Sequence, residues 1–162
     1  VLVIGKTEGH IDQSLFARVI LDEKNGPPPE VNLFNEKNNG ESLLDLINKN
    51  YIKSAHDISL GGLITALSKM CIQGNKGIKL NKSKNLINEI EYFFAEDQGR
   101  YLIEINPKDF DEVTNILNKN SVHYEKLGTI IEEEMIINDK TKVTIDELKS
   151  YNTSWLNNFM NS

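Results

Sequence analysis

The stretch whose residue types and spacing are best suited to chemistry is 54–62, with the sequence Ser-Ala-His-Asp-Ile-Ser-Leu-Gly-Gly. An apolar pair precedes it and apolar residues at helical spacing follow it, so we predict a strand, a glycine turn and a helix. Gly61 and Gly62 would let the backbone approach a ligand closely, and a helix N-terminus attracts anions. Asp57 and Ser59 could cap that helix or reach a metal–phosphate group. Since one glycine turn is a weak signal, chemistry alone favours a plain strand-to-helix turn.

A second polar group is Glu96-Asp97-Gln98-Gly99-Arg100, which precedes a predicted strand. Glu96 and Asp97 could accept hydrogen bonds from ligand hydroxyls or hold magnesium through oxygen ligands, and Arg100 could pair with phosphate. The structural alternative is a solvated turn in which Arg100 offsets the two acids. We favour that alternative.

Other reactive side chains form no recognisable site in the sequence. His10, His56 and His123 are scattered without metal-ligand spacing, so we predict no metal site. His56 and Asp57 are adjacent, but no nucleophile motif lies near them. The single cysteine, Cys71, lies on an apolar helix face and is predicted to be a small buried hydrophobe in a reducing compartment.

The composition is that of an ordinary globular chain. It has 162 residues, 39% hydrophobic and 26% charged, with a net charge of −6. The acidic balance argues against a nucleic-acid surface, and no apolar run approaches the length of a membrane span. The chain begins at Val1 without a methionine, and we expect a single domain over 1–162 that is a fragment of a longer multidomain chain.

Strands and helices alternate along the chain, and a hairpin near its end favours the α+β class. We predict helices near 31–50, interrupted around Asn38–Gly40, and after residue 62, ending at the glycine-rich 73–77. The polar stretch 82–88 is predicted to be a loop or a helix start. Strands are predicted over 78–80, 101–105 and 122–131, with a break at Gly128, and a hairpin over 135–144. Thr144 to Glu147 matches a capping box, and the last helix is expected to bury an apolar stripe: Leu148, Tyr151, Trp155 and Phe159.

Four stretches in order resemble one enzyme family. Residues 54–63 resemble its turn S-A-H-D-[VI]-S-[DE]-G-G-L, and 94–101 resemble F-S-E-S-Q-G-R-[YF]. Residues 26–33 resemble G-x-P-P-x-V-D-L, and 127–130 resemble a late [LI]-G-x-V strand. The chain therefore resembles the last domain of the synthetase subunits of phosphoribosylformylglycinamidine synthases, the second copy of the C-terminal domain that they share with aminoimidazole ribonucleotide synthetases.

The resemblance implies an α+β fold with α/β/α layers around a mixed sheet and partial ferredoxin-like topology. It implies part of an ATP-dependent ligase of purine biosynthesis, which converts formylglycinamide ribonucleotide and glutamine-derived ammonia to the amidine. ATP and magnesium would serve the full-length enzyme, bound mostly by the preceding domains, and none would be held by this fragment alone. The implied partners are those preceding domains and a glutaminase domain or subunit, and the implied location is the cytoplasm.

Two departures from the family pattern favour a scaffolding role. Leu60 replaces an acid in the glycine turn, and Asp97 replaces a serine, so both turns become less favourable for anions. We expect no catalytic residue in this fragment, and the expected ligand-binding residues, if a ligand binds, are Asp57, Ser59, Gly61, Gly62, Glu96, Asp97 and Gln98. The alternatives are a non-catalytic dimerisation module, which would form a homodimer, and the same domain of an aminoimidazole ribonucleotide or selenophosphate synthetase.

Overall fold

The computed structural model describes residues 1–81 and 88–161, and these form two compact units. The described residues of the first unit are 1–67 and 88–126, and those of the second are 68–81 and 127–161. The strands in the described residues are β1 (Leu2–Ile4), β2 (Ile52–Asp57), β3 (Gly77–Leu80), β4 (Tyr101–Ile105), β5 (Tyr124–Lys126), β6 (Gly128–Ile131), β7 (Glu134–Ile137) and β8 (Thr141–Thr144). The helices are α1 (Leu15–Val19), α2 (Leu33–Asn48), α3 (Gly62–Gly74), α4 (Glu89–Phe94), α5 (Phe110–Lys119) and α6 (Ile145–Met160).

The sheet of the first unit has ferredoxin-like strand order. Its order is β2-β4-β1-β5, and every neighbouring pair is antiparallel. If its strands are counted in chain order, this is 2-3-1-4, or 4-1-3-2 from the other edge. The predicted α+β class with partial ferredoxin-like topology is therefore confirmed for this unit, although the strands in residues 1–81 and 88–161 form two sheets rather than one.

The core of the first unit lies between this sheet and two helices. Leu2, Ile4 and Ile103 from the strands pack with Leu46 of α2 and Leu117 of α5, and all five are almost completely buried. Helix α2 begins after Asn32, whose side chain accepts a hydrogen bond from the N–H of residue 35. Apolar residues recur at helical spacing in α2 and α5 because one face of each helix packs against the sheet.

The second unit is built around a mixed sheet. Its order is β6-β3-β7-β8, in which β3 pairs antiparallel with β6 and parallel with β7. The predicted hairpin is β7 and β8, which are connected through Asn138 and Asp139 with φ of 52° and 56°. Two consecutive positive φ values are what a tight hairpin turn requires. The capping box of Thr144 and Glu147 is present at the start of α6.

Two predicted boundaries were wrong and a third was confirmed. Helix α2 continues through Gly40 without interruption, because Asn39 is buried and its side chain donates to the carbonyl of Gly99 at 2.8 Å, so packing outweighs the poor helix propensity. Strand β2 extends to Asp57, where we had expected the turn to begin at residue 54. The predicted end of helix α3 within 73–77 is confirmed, since the helix ends on Gly74; the residue with left-handed conformation that follows is Asn75, with φ of 49°.

The predicted burial of the last helix was also wrong. Tyr151, Trp155 and Phe159 are 76%, 68% and 64% exposed, and Leu148 is only partly buried. The Trp155 and Phe159 rings stack on one another at a centroid distance of 5.5 Å. The apolar stripe therefore exists on α6, but the described residues of its unit do not cover it.

Three further sequence predictions concern residues 82–88, membrane spans and Gly128. The prediction for 82–88 lies outside the described residues except for Asn88, whose side chain caps α4. Among the helices of the described part, none is long and apolar enough to cross a membrane. The break predicted at Gly128 is confirmed, since β5 ends at Lys126 and β6 begins at Gly128.

Candidate functional site

Glu96 connects the two polar motifs of the sequence. One of its carboxylate oxygens, Oε1, accepts a hydrogen bond from the N–H of Gly61 at 2.8 Å and another from the N–H of Leu15 at 2.7 Å. Glu96 lies in the turn between α4 and β4, so the same oxygen joins this turn to the glycine turn and to the first residue of α1. Such charge-assisted bonds are stronger than bonds between neutral groups. These hydrogen bonds of Glu96 are therefore made within the chain.

The two glycines of the glycine turn, Gly61 and Gly62, make contacts within the chain. Gly61 and Gly62 have φ of +82° and +69°, a region that favours glycine. A Cβ on Gly62 would lie 2.6 Å from the carbonyl oxygen of Ala95, so only glycine fits there. The Gly62 N–H donates to the backbone carbonyl of Ser59 at 2.9 Å, while that of Gly61 is taken by Glu96. The turn therefore offers neither of these N–H groups to an anion.

Asp97 closes a second turn, the one that follows β1. Its Oδ2 accepts from the N–H of Glu8 at 2.9 Å and of Gly9 at 3.1 Å, and its Oδ1 accepts from the N–H of His10 at 3.1 Å. The residue is only 7% exposed. A buried carboxylate is stabilised by such bonds, because they replace the hydration that it loses.

Arg100 is buried behind Asp97 and is 1% exposed. Its guanidinium donates to the carbonyl of Ala95 at 2.6 Å, to that of Asp97 at 3.1 Å and to the hydroxyl of Thr7 at 3.0 Å. Burial lowers the pKa of Arg100, and the negative charge of Asp97 opposes this shift. The expectation of a solvated turn was wrong, because Asp97 and Arg100 are both buried, but their contacts are internal as the structural interpretation required.

A polar cavity of about 680 Å³ opens in front of Asp97. Its wall comes from the turn after β1, from the first half of α2 and the chain just before it, from Asp97 and Gln98, and from Ser121 and His123. The acidic side chains of this wall, Glu8, Glu30, Glu36 and Asp97, outnumber its lysine, Lys6, which pairs with Glu8 at 2.8 Å. The cavity is therefore acidic and rich in hydrogen-bonding groups.

The remaining candidate residues are exposed and separate in their contacts. The side chains of Asp57, Ser59 and Gln98 are solvent-exposed, and only Gln98 belongs to the cavity wall. His56 and Asp57 approach each other, with Nδ1 and Oδ1 3.4 Å apart. Within the described residues, no side-chain hydrogen bond joins Asp57 or Ser59 to Glu96, Asp97 or Gln98. The structure thus brings Gly61, Gly62 and Glu96 together, and leaves Asp57 and Ser59 outside that contact.

Sequence reasoning missed the turn that Asp97 closes. The reason is distance along the chain, since Asp97 lies 89 residues away from Glu8. Sequence reasoning also missed Asn39, which connects α2 to Gly99. The one available signal was the glycine in a polar turn directly after a buried strand, which permits the positive φ of 90° seen at Gly9.

Comparison with known proteins gives the same assignment for most of the chain. The family described as "AIR synthase related protein, C-terminal domain" matches residues 1–139. The subunit PurL of phosphoribosylformylglycinamidine synthase from Pelagibacter ubique is 67% identical over 159 residues, which is 98% of this chain and 22% of that protein. This chain therefore spans about a fifth of the length of that relative.

Solved structures share the fold. The Thermotoga maritima PurL complexed with FGAR has a TM-score of 0.74 at 21% identity, over 91% of this chain and 27% of that one. The T. maritima PurL complexed with ATP has a TM-score of 0.68 at 18% identity, over 91% and 25% of the two chains. At such identities the likeness concerns the fold alone.

Proposed function

This chain belongs to the family of AIR synthase related protein C-terminal domains, and on that premise we propose that it is one domain of the synthetase subunit of a phosphoribosylformylglycinamidine synthase. The observation that carries the proposal is the high identity to the Pelagibacter subunit across nearly the whole chain. The full-length protein would be a C–N ligase of purine biosynthesis, which uses ATP to convert formylglycinamide ribonucleotide and ammonia to the amidine.

Within that enzyme this domain would act as a scaffold without catalytic residues of its own. The two turns with the candidate chemistry support this, because Glu96 and Asp97 bind backbone N–H groups of the same chain. No group of three or more His, Cys, Asp and Glu side chains is placed to hold a metal ion in the part of the chain that the structure describes. In keeping with the family resemblance, we propose that magnesium and ATP are held mostly by the preceding domains of the longer protein.

The proposed partners follow from this assignment. They are the other domains of the same polypeptide and a glutaminase domain or subunit as the source of ammonia, and the proposed location is the cytoplasm. ATP use is supported by the T. maritima relative that was solved in complex with ATP. That residues 1–162 form one domain stays a proposal as well, supported by the family match across 1–139, which includes residues of both compact units.

One observation favours the alternative of a dimerisation module. The exposed apolar face of α6, which includes Tyr151, Trp155 and Phe159, could bind a second copy of the chain. Sedimentation of the isolated chain tests this alternative. A concentration-dependent dimer that Trp155→Ser abolishes would support it, and a monomer at all concentrations would exclude it.

The full-length parent protein provides the test of the main proposal. It would be incubated with ATP, magnesium and ammonium, and with either formylglycinamide ribonucleotide, its amidine or selenide as the acceptor. We expect product and ADP in equal amounts with formylglycinamide ribonucleotide alone. Turnover of the amidine would instead indicate an aminoimidazole ribonucleotide synthetase, and turnover of selenide a selenophosphate synthetase; either result would overturn the proposal.

A further inference from the structure

Three successive backbone N–H groups converge on one point beside the acidic cavity. They belong to Glu8, Gly9 and His10, and the atoms that they meet are the two carboxylate oxygens of Asp97, at 2.9 to 3.1 Å. All four residues are part of the cavity wall. The point of convergence therefore borders open space and is not enclosed in the core.

Convergent N–H groups of consecutive residues form a concave anion-binding site, called a nest, when the local backbone alternates in handedness. Gly9 has φ of +90°, in the left-handed region, which supplies this alternation. The Asp97 carboxylate accepts three such hydrogen bonds through its two oxygens. A phosphate or sulfate could accept the same three bonds through two of its oxygens. The geometry of the turn is thus that of an oxyanion site, and its occupant is a side chain from 87 to 89 residues away.

We infer that residues 8–10 form an oxyanion-binding turn that the chain fills with its own Asp97 carboxylate, and that shortening this side chain opens the turn to inorganic phosphate. The wild-type cavity is closed to phosphate at this point, because the donors are occupied and a second anion would meet the charge of Asp97. The inference depends on the contacts of this turn and not on the proposed reaction.

A positive charge would remain beside a phosphate bound in the opened turn. The Nη1 atom of Arg100 lies 4.0 Å from Oδ2 of Asp97, and its guanidinium is fixed by the carbonyl of Ala95 and the hydroxyl of Thr7. Lys6 contributes little, because it is exposed and paired with Glu8. Arg100 therefore offers the incoming anion the electrostatic partner that Asp97 now has.

The test compares four forms of the full-length parent protein: the wild type and the variants Asp97→Gly, Asp97→Ser and Asp97→Asn. Thermal unfolding is followed in sodium phosphate and in sodium chloride of equal ionic strength. Phosphate bound elsewhere in the parent protein, and the general effect of phosphate on protein stability, shift the melting temperatures of all four forms equally. Asp97→Asn is the matched control, since its amide fills the same space and keeps one oxygen acceptor.

We expect phosphate to raise the melting temperature of Asp97→Gly and Asp97→Ser beyond that of the wild type, by about 1 °C for each tenfold increase above the dissociation constant. The wild type and Asp97→Asn should show no such extra shift. Equal phosphate responses in all four forms would overturn the inference, as would an Asp97→Asn response as large as that of Asp97→Gly. If the two shortened variants fold only in phosphate, the inference is supported; if they remain unfolded in both salts, it is overturned.

Discussion

Glu96 and Gly61 are joined by a hydrogen bond of 2.8 Å between a carboxylate oxygen and a backbone N–H, across 35 residues of sequence. The same oxygen also accepts from the N–H of Leu15. The glycine turn that resembles a phosphate-binding element is thus bound by an acid from the same chain. This relationship explains why residues with the chemistry of a ligand site can serve to hold three segments together.

Replacing Glu96 should therefore destabilise the protein. Glu96→Ala leaves two backbone N–H groups without a partner, and we expect the free energy of unfolding to fall by about 2 kcal/mol. Glu96→Gln keeps an acceptor oxygen and should lose about half as much. Denaturant unfolding measures both, with Glu41→Gln as control, because Glu41 is exposed in a loose ion pair at 3.8 Å and its loss should be almost neutral. Equal effects at the two positions would contradict the role of Glu96.

Two glycines of helix α3 should respond to alanine in opposite directions. At Gly62 a Cβ would lie 2.6 to 2.8 Å from backbone atoms of residues 93–95, and φ is +69°, so we expect a loss of more than about 2 kcal/mol. At Gly74 a Cβ would meet nothing within 4 Å, and alanine should raise stability by about 0.5 kcal/mol. Chemical denaturation of the two variants gives the sign of each change. A stabilising Gly62→Ala would show that the described turn is incorrect.

Substitution of the buried Arg100 should cause a large loss in the free energy of unfolding. Arg100→Met removes the donors to Ala95, Asp97 and Thr7, and we expect a loss of about 3 to 5 kcal/mol. Arg100→Lys should not restore stability, since one ammonium cannot reach the same acceptors in the same geometry.

A double-mutant cycle isolates one of these contacts. Thr7→Val and Arg100→Lys should be coupled, because the Thr7 hydroxyl accepts from the Arg100 Nη1 at 3.0 Å. Additive effects of the two substitutions in urea unfolding would show that this contact contributes nothing. Lys76→Met, which removes an exposed ion pair with Glu132, serves as the control and should be almost neutral.

Cys71 should react slowly with alkylating agents at neutral pH. Its burial raises the pKa of the thiol to about 11, and only the thiolate is nucleophilic. The raised pKa means that the thiol is protonated through pH 9 and that the thiolate increases as the pH rises towards 11. Peptide-resolved labelling with iodoacetamide should therefore increase about tenfold per pH unit between 8 and 10. A plateau near pH 9 in the folded protein would contradict this, whereas the chain unfolded in guanidinium chloride should show that plateau.

The local elements could be predicted from sequence because their causes are local. The apolar strand Tyr101–Ile105 and the capping box at Thr144 depend on neighbouring residues, and the structure has both. The helix that begins at Gly62 likewise follows from its own apolar spacing.

The internal partners of the polar motifs could not be predicted, because these partners are distant in the sequence. Asp97 accepts a hydrogen bond from the N–H of Glu8, and Glu96 accepts one from the N–H of Leu15. Each donor lies 81 or more residues away from its acceptor in the sequence. Composition shows that such residues can bind an anion or donate a charge, but not which groups they meet. The predicted burial of Trp155 was wrong for a related reason. Helical spacing predicts that a helix has an apolar face, but it does not predict what covers that face.

The central claim is that this domain supports the ligase without taking part in its chemistry, and the exposed candidates test it most directly. Asp57, Ser59 and Gln98 can be changed to alanine together without removing a buried contact, because all three side chains are exposed. The measurement is ammonia-dependent amidation of formylglycinamide ribonucleotide by the full-length parent protein, wild type and triple variant. We expect kcat and KM of the variant within about twofold of wild type, a difference of less than 0.5 kcal/mol in transition-state stabilisation. A loss of more than about a hundredfold in kcat with an unchanged melting temperature would contradict the claim.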